Sequence, residues 1–170
     1  VLRFRAANMG DVHTVLADLS EISTVEVIAD CGGWWKALPK VTKLLTLPDS
    51  QTEALVDELG VAQAIFGHYP GISPRYRTTW FVFSRGFVVR GAAAALACCR
   101  RVRTLRAAYP NTCFQSRTAS QHPDRARWFS LLGFHCAIVK LNGTRQYVLP
   151  ELVSDSGAGG RYNPTNPQAS

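Results

Sequence analysis

Few residues in this chain are placed to do chemistry by themselves. His68 stands in the run His68-Tyr69-Pro70-Gly71 and is the lone imidazole with a case as a general base. Acid–base catalysis needs a partner set, and none can be read around it by spacing. Cys113 has no His or Asp at a telling distance and reads most simply as a core thiol. The five cysteines (Cys31, Cys98, Cys99, Cys113 and Cys136) are odd in number and irregularly spaced, with no CxxC pair. That argues against a disulfide framework and against a zinc site.

The arginines say more. Eleven fall between residues 75 and 127 against one acid, Asp124, whereas nine of the twelve acids fall between 11 and 58. The net charge of +7 is therefore lopsided. Guanidinium forks suit bidentate contact with phosphates or carboxylates, so a phosphate group, nucleic acid and an acidic protein surface are all open as targets. Nucleic acid is the less favoured partner, because aromatic residues are not interleaved with the arginines as stacking platforms require.

The elements that must position these residues follow from pattern. At 170 residues, 46% hydrophobic and 18% charged, the chain is expected to fold as one domain with a real core. No apolar run approaches the length of a membrane span, and Arg3, Arg5 and Asp11 interrupt any signal-peptide core. Leu2 to Ala6 alternates as a strand. Asp11 is the expected N-cap of a first helix with Val12, Val15, Leu16 and Leu19 on its apolar face. Thr24 to Ala29 fits strand or helix. Trp34 to Leu47 reads as a helix containing Pro39.

Glu53–Val56 and Val61–Phe66 form a hairpin, and His68 to Pro74 a loop. Thr78 to Phe83 is a strand buried on both faces. Residues 92 to 109 read as a helix with Leu96, Cys99, Val102, Leu105 and Tyr109 on one face and Arg100, Arg103 and Arg106 on another. A strand at 112–117 and a helix starting at Pro123 and ending at Gly133 follow. The closing hairpin, 136–141 with 145–149, has Asn142-Gly143 in an expected type I′ turn. Residues 154–170 are too polar to fold alone and read as an extended tail that docks on a partner.

From Trp80 to Phe134 the order is an apolar strand, Ser84-Arg85-Gly86, then Arg90-Gly91-Ala92-Ala93, an arginine-studded helix, a strand, and a segment ending Leu132-Gly133-Phe134. This resembles the central unit of the GNAT (N-acetyltransferase) fold. The likeness covers about residues 2 to 150. It implies a three-layer α/β/α domain of α+β class over residues 1–153. Its sheet would be mixed, mostly antiparallel and six- to seven-stranded, with about four helices and strands four and five splayed. The details of 61–83 and 120–134 look like the GNAT-like virion proteins of short-tailed bacteriophages.

The resemblance implies a site as well. In the family the acyl-CoA arm lies between the splayed strands. The pyrophosphate rests on backbone N–H groups at the start of the next helix, under a Gln/Arg-x-x-Gly-x-Gly/Ala motif. Here Val88 falls at the Gln/Arg position, Gly91 at the first Gly and Ala93 at the last. A vestigial CoA site would comprise Val82, Phe83, Val89, Arg90, Gly91, Ala92 and Ala93. The same small residues would also arise from close helix–sheet packing alone. Phe129 falls where the family's general-acid Tyr lies, His122 falls where its Asn lies, and no Glu stands on the fourth strand.

Missing chemistry on a kept scaffold implies an inactive enzyme that uses no cofactor. The expectation is then a virion structural protein, made in the host cytoplasm, present in several copies or as a ring. It would dock on portal, tail or internal core proteins through Arg100, Arg103, Arg106, Arg161 and Tyr162. The alternative is an active acetyl-CoA-dependent N-acetyltransferase with Arg90, Gly91 and Ala93 on the pyrophosphate and a water-relayed base.

Overall fold

The computed structural model describes residues 1–119 and 123–152; His122, the tail 154–170, Arg161 and Tyr162 lie outside the described residues. Seven strands form one mixed sheet: β1 (Arg3–Ala6), β2 (Gln51–Val56), β3 (Ala62–Pro70), β4 (Tyr76–Phe83), β5 (Cys113–Thr118), β6 (His135–Val139) and β7 (Arg145–Leu149). Their order is β1-β2-β3-β4-β5-β7-β6. Only β4 and β5 run parallel; the other pairs are antiparallel.

Five helices cover the faces: α1 (Met9–Ala17), α2 (Glu21–Cys31), α3 (Trp34–Thr46), α4 (Arg85–Ala108) and α5 (Pro123–Leu131). Val12, Val15, Val27, Ala37 and Val41 from α1–α3 share one core layer with Val56 and Ile65. Phe87, Cys98, Val102, Leu105 and Phe129 from α4 and α5 share the other with Phe81, Phe83 and Phe114. Alternation along β4 sends Phe81 and Phe83 to one layer and Trp80 and Val82 to the other, so the strand is packed on both sides. The expected GNAT-like architecture is the one observed, with five helices where about four were expected.

Several local expectations are corrected. Asn8, not Asp11, caps α1. Its side chain accepts from the Asp11 N–H at 3.1 Å while Asp11 accepts from the Asn8 N–H at 2.9 Å, a reciprocal capping box. Thr24 to Ala29 is helical, started by the Ser20 N-cap and ended at Gly32 with φ 76°. His68 lies in β3 rather than in a loop, because the strand continues to Pro70 and pairs with Arg77 to Phe83.

On α4 the buried stripe is Ala94, Cys98, Val102 and Leu105, and Leu96 is 52% exposed. The helix also starts earlier than expected, and Gly91, at φ 46° and ψ −113°, breaks it into Arg85–Arg90 and a segment beginning at Ala92. The last turn is not type I′, since Gly143 takes positive φ but Asn142 does not. Gly143 N–H donates to Lys140 O and Lys140 N–H to Thr144 O, each at 2.9 Å, and the loop is correspondingly longer.

Candidate site in the gap between the diverging strands

β4 and β5 pair only at Tyr76↔Cys113, Arg77↔Phe114 and Thr78↔Gln115. At the next step side chains replace the ladder. The Ser116 hydroxyl donates to Thr79 O and the Thr79 hydroxyl to Gln115 O, both at 3.1 Å. Beyond that the strands part. The Ser84 N–H donates to Gln63 O, so antiparallel alternation turns the main chain of Val82 and Trp80 toward β3 and that of Phe81 and Phe83 into the gap.

Of the expected cofactor residues on β4, Val82 offers only its side chain to the cavity. The main chain of Phe83 is already engaged: its N–H donates to the Ser23 hydroxyl and its carbonyl accepts from the Ser20 N–H, each at 2.9 Å. The start of α2 therefore closes the gap at Phe83 and leaves Phe81 as the open peptide.

A cavity of about 160 Å³ occupies the gap, lined by Thr79, Phe81, Val82 and Ser116 from the strands, Glu26 and Asp30 from α2, and Arg125 from α5. That is below the roughly 300–1,000 Å³ usual for whole small-molecule ligands, so it suits the reacting end of a longer one. Glu26 and Arg125 are both buried, with Arg125 Nε 3.4 Å from Glu26 Oε1. Glu26 also accepts from the Thr118 hydroxyl and, at 3.1 Å, from the Ala119 N–H.

The Arg125 guanidinium carbon stands 5.4 Å from the ring centroids of both Phe83 and Phe129. Burial pushes its pKa down, opposed by the charges of Glu26 and Asp30. Phe129 is fully buried and stacked on Tyr147 at 4.2 Å. The sequence could have flagged each charge singly, because each stands near a buried apolar helical position (Phe129 and Val27), but not their pairing. Arg125 lies one turn before Phe129, and Glu26 lies between Val25 and Val27.

At the far end of β4, Ser84 caps the first segment of α4 by accepting from the Phe87 N–H at 3.2 Å. The segment starting at Ala92 presents its own first-turn N–H groups, since orphan donors arise wherever a helix begins. Gly91, Ala92 and Ala93 are exposed, and a Cβ on Gly91 would meet nothing within 4 Å. This open N-terminus can accept an anion.

Arg90 is not free to do so. Its Nη2 donates to Asp57 Oδ2 at 2.7 Å, with Glu58 3.7 Å away. Burial would raise the Asp57 pKa, but the N–H groups of Val61 and Leu59, Arg90 and Gln63 together hold it below the ordinary carboxylate value. Val89 is exposed and apolar.

The remaining candidates resolve differently. His68 is 1% exposed and its Nδ1 accepts from Arg77 Nε at 2.7 Å. Burial first, then Arg77 and Arg101, lower its pKa to about 4. A base whose lone pair is taken cannot accept a substrate proton, so His68 is corrected to a structural residue. Arg100 and Arg103 are exposed, while Arg106 reaches back to Pro150 O at 3.1 Å. Cys98 is buried, which pushes its thiol up to about 12. Among the described residues no helix is long and apolar enough to cross a membrane, and no group of three His, Cys, Asp or Glu could hold a metal.

No protein-family model matches the sequence, and no curated protein does. Solved structures do. The ribosomal-protein-S18-alanine N-acetyltransferase from Escherichia coli is similar over 94% of this chain and all of its own, with TM-score 0.65 and 10% identity. A spermidine N-acetyltransferase chimera from Vibrio cholerae and hSSAT matches over 88% of this chain and 95% of its own, with TM-score 0.64 and 13% identity. AAC(6')-Ib in complex with paromomycin and acetyl-CoA matches over 88% and 93%, with TM-score 0.63 and 12% identity.

At such identities the likeness shows the fold, which is that of the GNAT acetyltransferases. It overturns the expectation of a structural virion protein: these neighbours carry the names of acetyltransferases and acetyl-CoA complexes, and none of the three is a virion component.

Proposed function

We propose that the chain is an acetyl-CoA-dependent N-acetyltransferase. The observation that carries this reading is the break at Gly91, which opens a helix N-terminus beside the end of a strand that has parted from its neighbour. The residues present fit the donor. The N–H groups of Ala92 and Ala93 would hold the pyrophosphate, and Gly91 lets it approach because nothing stands within 4 Å of where a Cβ would be. Acetyl-CoA supplies, when bound, an acetyl group activated as a thioester. The main chain of Phe81 faces the gap in which that group would lie. Phe81 lines that gap and packs edge-on against Phe129, which is stacked on Tyr147, so one wall would be apolar.

Calorimetric titration with acetyl-CoA tests the reading. Micromolar binding is expected, with at least a hundredfold loss in Gly91→Asp, where a carboxylate would stand against the anion. Circular dichroism checks that the variant keeps its fold, since any side chain at this φ is strained. The absence of heat with millimolar acetyl-CoA and the unaltered chain would sink it.

A further inference from the structure

Arg125 is the most conspicuous polar group in the molecule. It is 4% exposed, it lines the cavity between β4 and β5, and its Nε and Nη1 have no hydrogen-bond partner among the described residues. Leaving buried donors unmet is costly, and more so on a charged group. The position adds to that cost, because Arg125 sits in the first turn of α5, where the helix dipole disfavours a cation. Glu26 answers the charge only in part. The nearest approach is 3.4 Å, and the same carboxylate also serves Thr118 and the Ala119 N–H. The other charges lining the cavity are Asp30 on α2, Lys40 on α3 and Arg117 on β5.

Opposite Phe81 the face of α5 carries Phe129, which has no proton to give. Arg125 lies four residues earlier on that face, with its guanidinium carbon 5.4 Å from the Phe129 centroid. Among the described residues of α5 it is the one that lines the cavity, and it can meet negative charge.

We infer that Arg125 is the residue that receives the negative charge of the departing sulfur in acyl transfer, doing by charge what a tyrosine would do by proton donation. The inference rests on the function proposed above. In the step, the acceptor amine nitrogen forms a bond to the thioester carbonyl carbon and the C–S bond breaks. The electron pair leaves on sulfur as a thiolate facing the guanidinium, and the amine proton passes to water. A guanidinium keeps its proton throughout, so its contribution is electrostatic.

The test reads the thiol rather than turnover. CoA is bound to the full chain and its thiolate is followed by ultraviolet absorbance against pH, with the desulfo-CoA complex subtracted to remove the five cysteines. The expected result is about tenfold more thiolate on the bound sulfur at neutral pH than in free CoA, lost in Arg125→Met and partly kept in Arg125→Lys. Arg125→Met alone strands Glu26, so Glu26→Gln/Arg125→Met, which removes both charges, is measured beside it and should show the same loss. If CoA binds to the unaltered chain and its thiol titrates as it does free in solution, or identically in the variants, the role of Arg125 is overturned while the proposed function stands. If CoA does not bind at all, both fall.

Discussion

The two ends of the β4–β5 junction each bury a nitrogen without a hydrogen-bond partner, and they do so differently. At the paired end, the His68 Nδ1 accepts from Arg77, so its proton is on Nε2, and the ring packs edge-on against Tyr109 and Phe114. The imidazole is buried and held neutral, and it is not among the residues that line the cavity at the splayed end. At the splayed end, Arg125 lies beside Glu26, leaves its Nε and Nη1 unmet, and is one of the residues that line the cavity. An orphaned polar atom is thus a poor marker of function by itself. It becomes informative where the neighbouring volume is empty and the group is charged, because only then could a ligand repay the desolvation.

Changing the carboxylate at the splayed end should have the largest effect on stability. Glu26→Ala leaves Arg125 buried and uncompensated and should cost about 3–5 kcal/mol in denaturant unfolding. Glu26→Gln/Arg125→Met should cost clearly less. Equal losses in the two would mean that the pair is solvated and that the contrast between the ends is false.

The imidazole at the paired end should act through pH. Its pKa falls from 6.5 to about 4 on folding, so the unfolded chain binds the extra proton first. Stability is then full above about pH 6.5 and is lost as pH falls toward about 4, on the order of 3 kcal/mol in all. His68→Gln keeps an acceptor for Arg77 and should flatten that limb of the stability profile. An unchanged acid limb would show that His68 is as easily protonated folded as unfolded.

Much of the architecture was legible from local pattern. The strand 145–149 and the helix start at Pro123 fall where apolar alternation and proline chemistry put them. The expected Thr78–Phe83 strand lies within β4, because an unbroken apolar run between helices has few other places to go. Legibility failed where a tertiary contact decides. Residues 85–90 are helical because Ser84 caps them, yet Gly86 and two β-branched valines hide the pattern. His68 is strand because β4 is there to pair with it.

The candidate site was the least legible part. Gly91 could be singled out, but its neighbour Arg90 could not be known to belong to Asp57, 33 residues away. Glu26 and Arg125 are almost a hundred residues apart, and no spacing rule joins them. Motif counting puts Phe129 where the resemblance implies a tyrosine, and only the packed structure shows that Arg125 stands beside it.

The tie between Arg90 and Asp57 has a consequence for how an anion would feel this protein. With the nearest guanidinium withdrawn into an internal pair, the pull at Gly91 comes from peptide dipoles, which act only within the first turn. Binding there should therefore weaken little with rising ionic strength, in contrast to the steep salt dependence the overall charge of +7 suggests. A titration of CoA affinity against sodium chloride would expose a steep slope if the arginines were the true docking point.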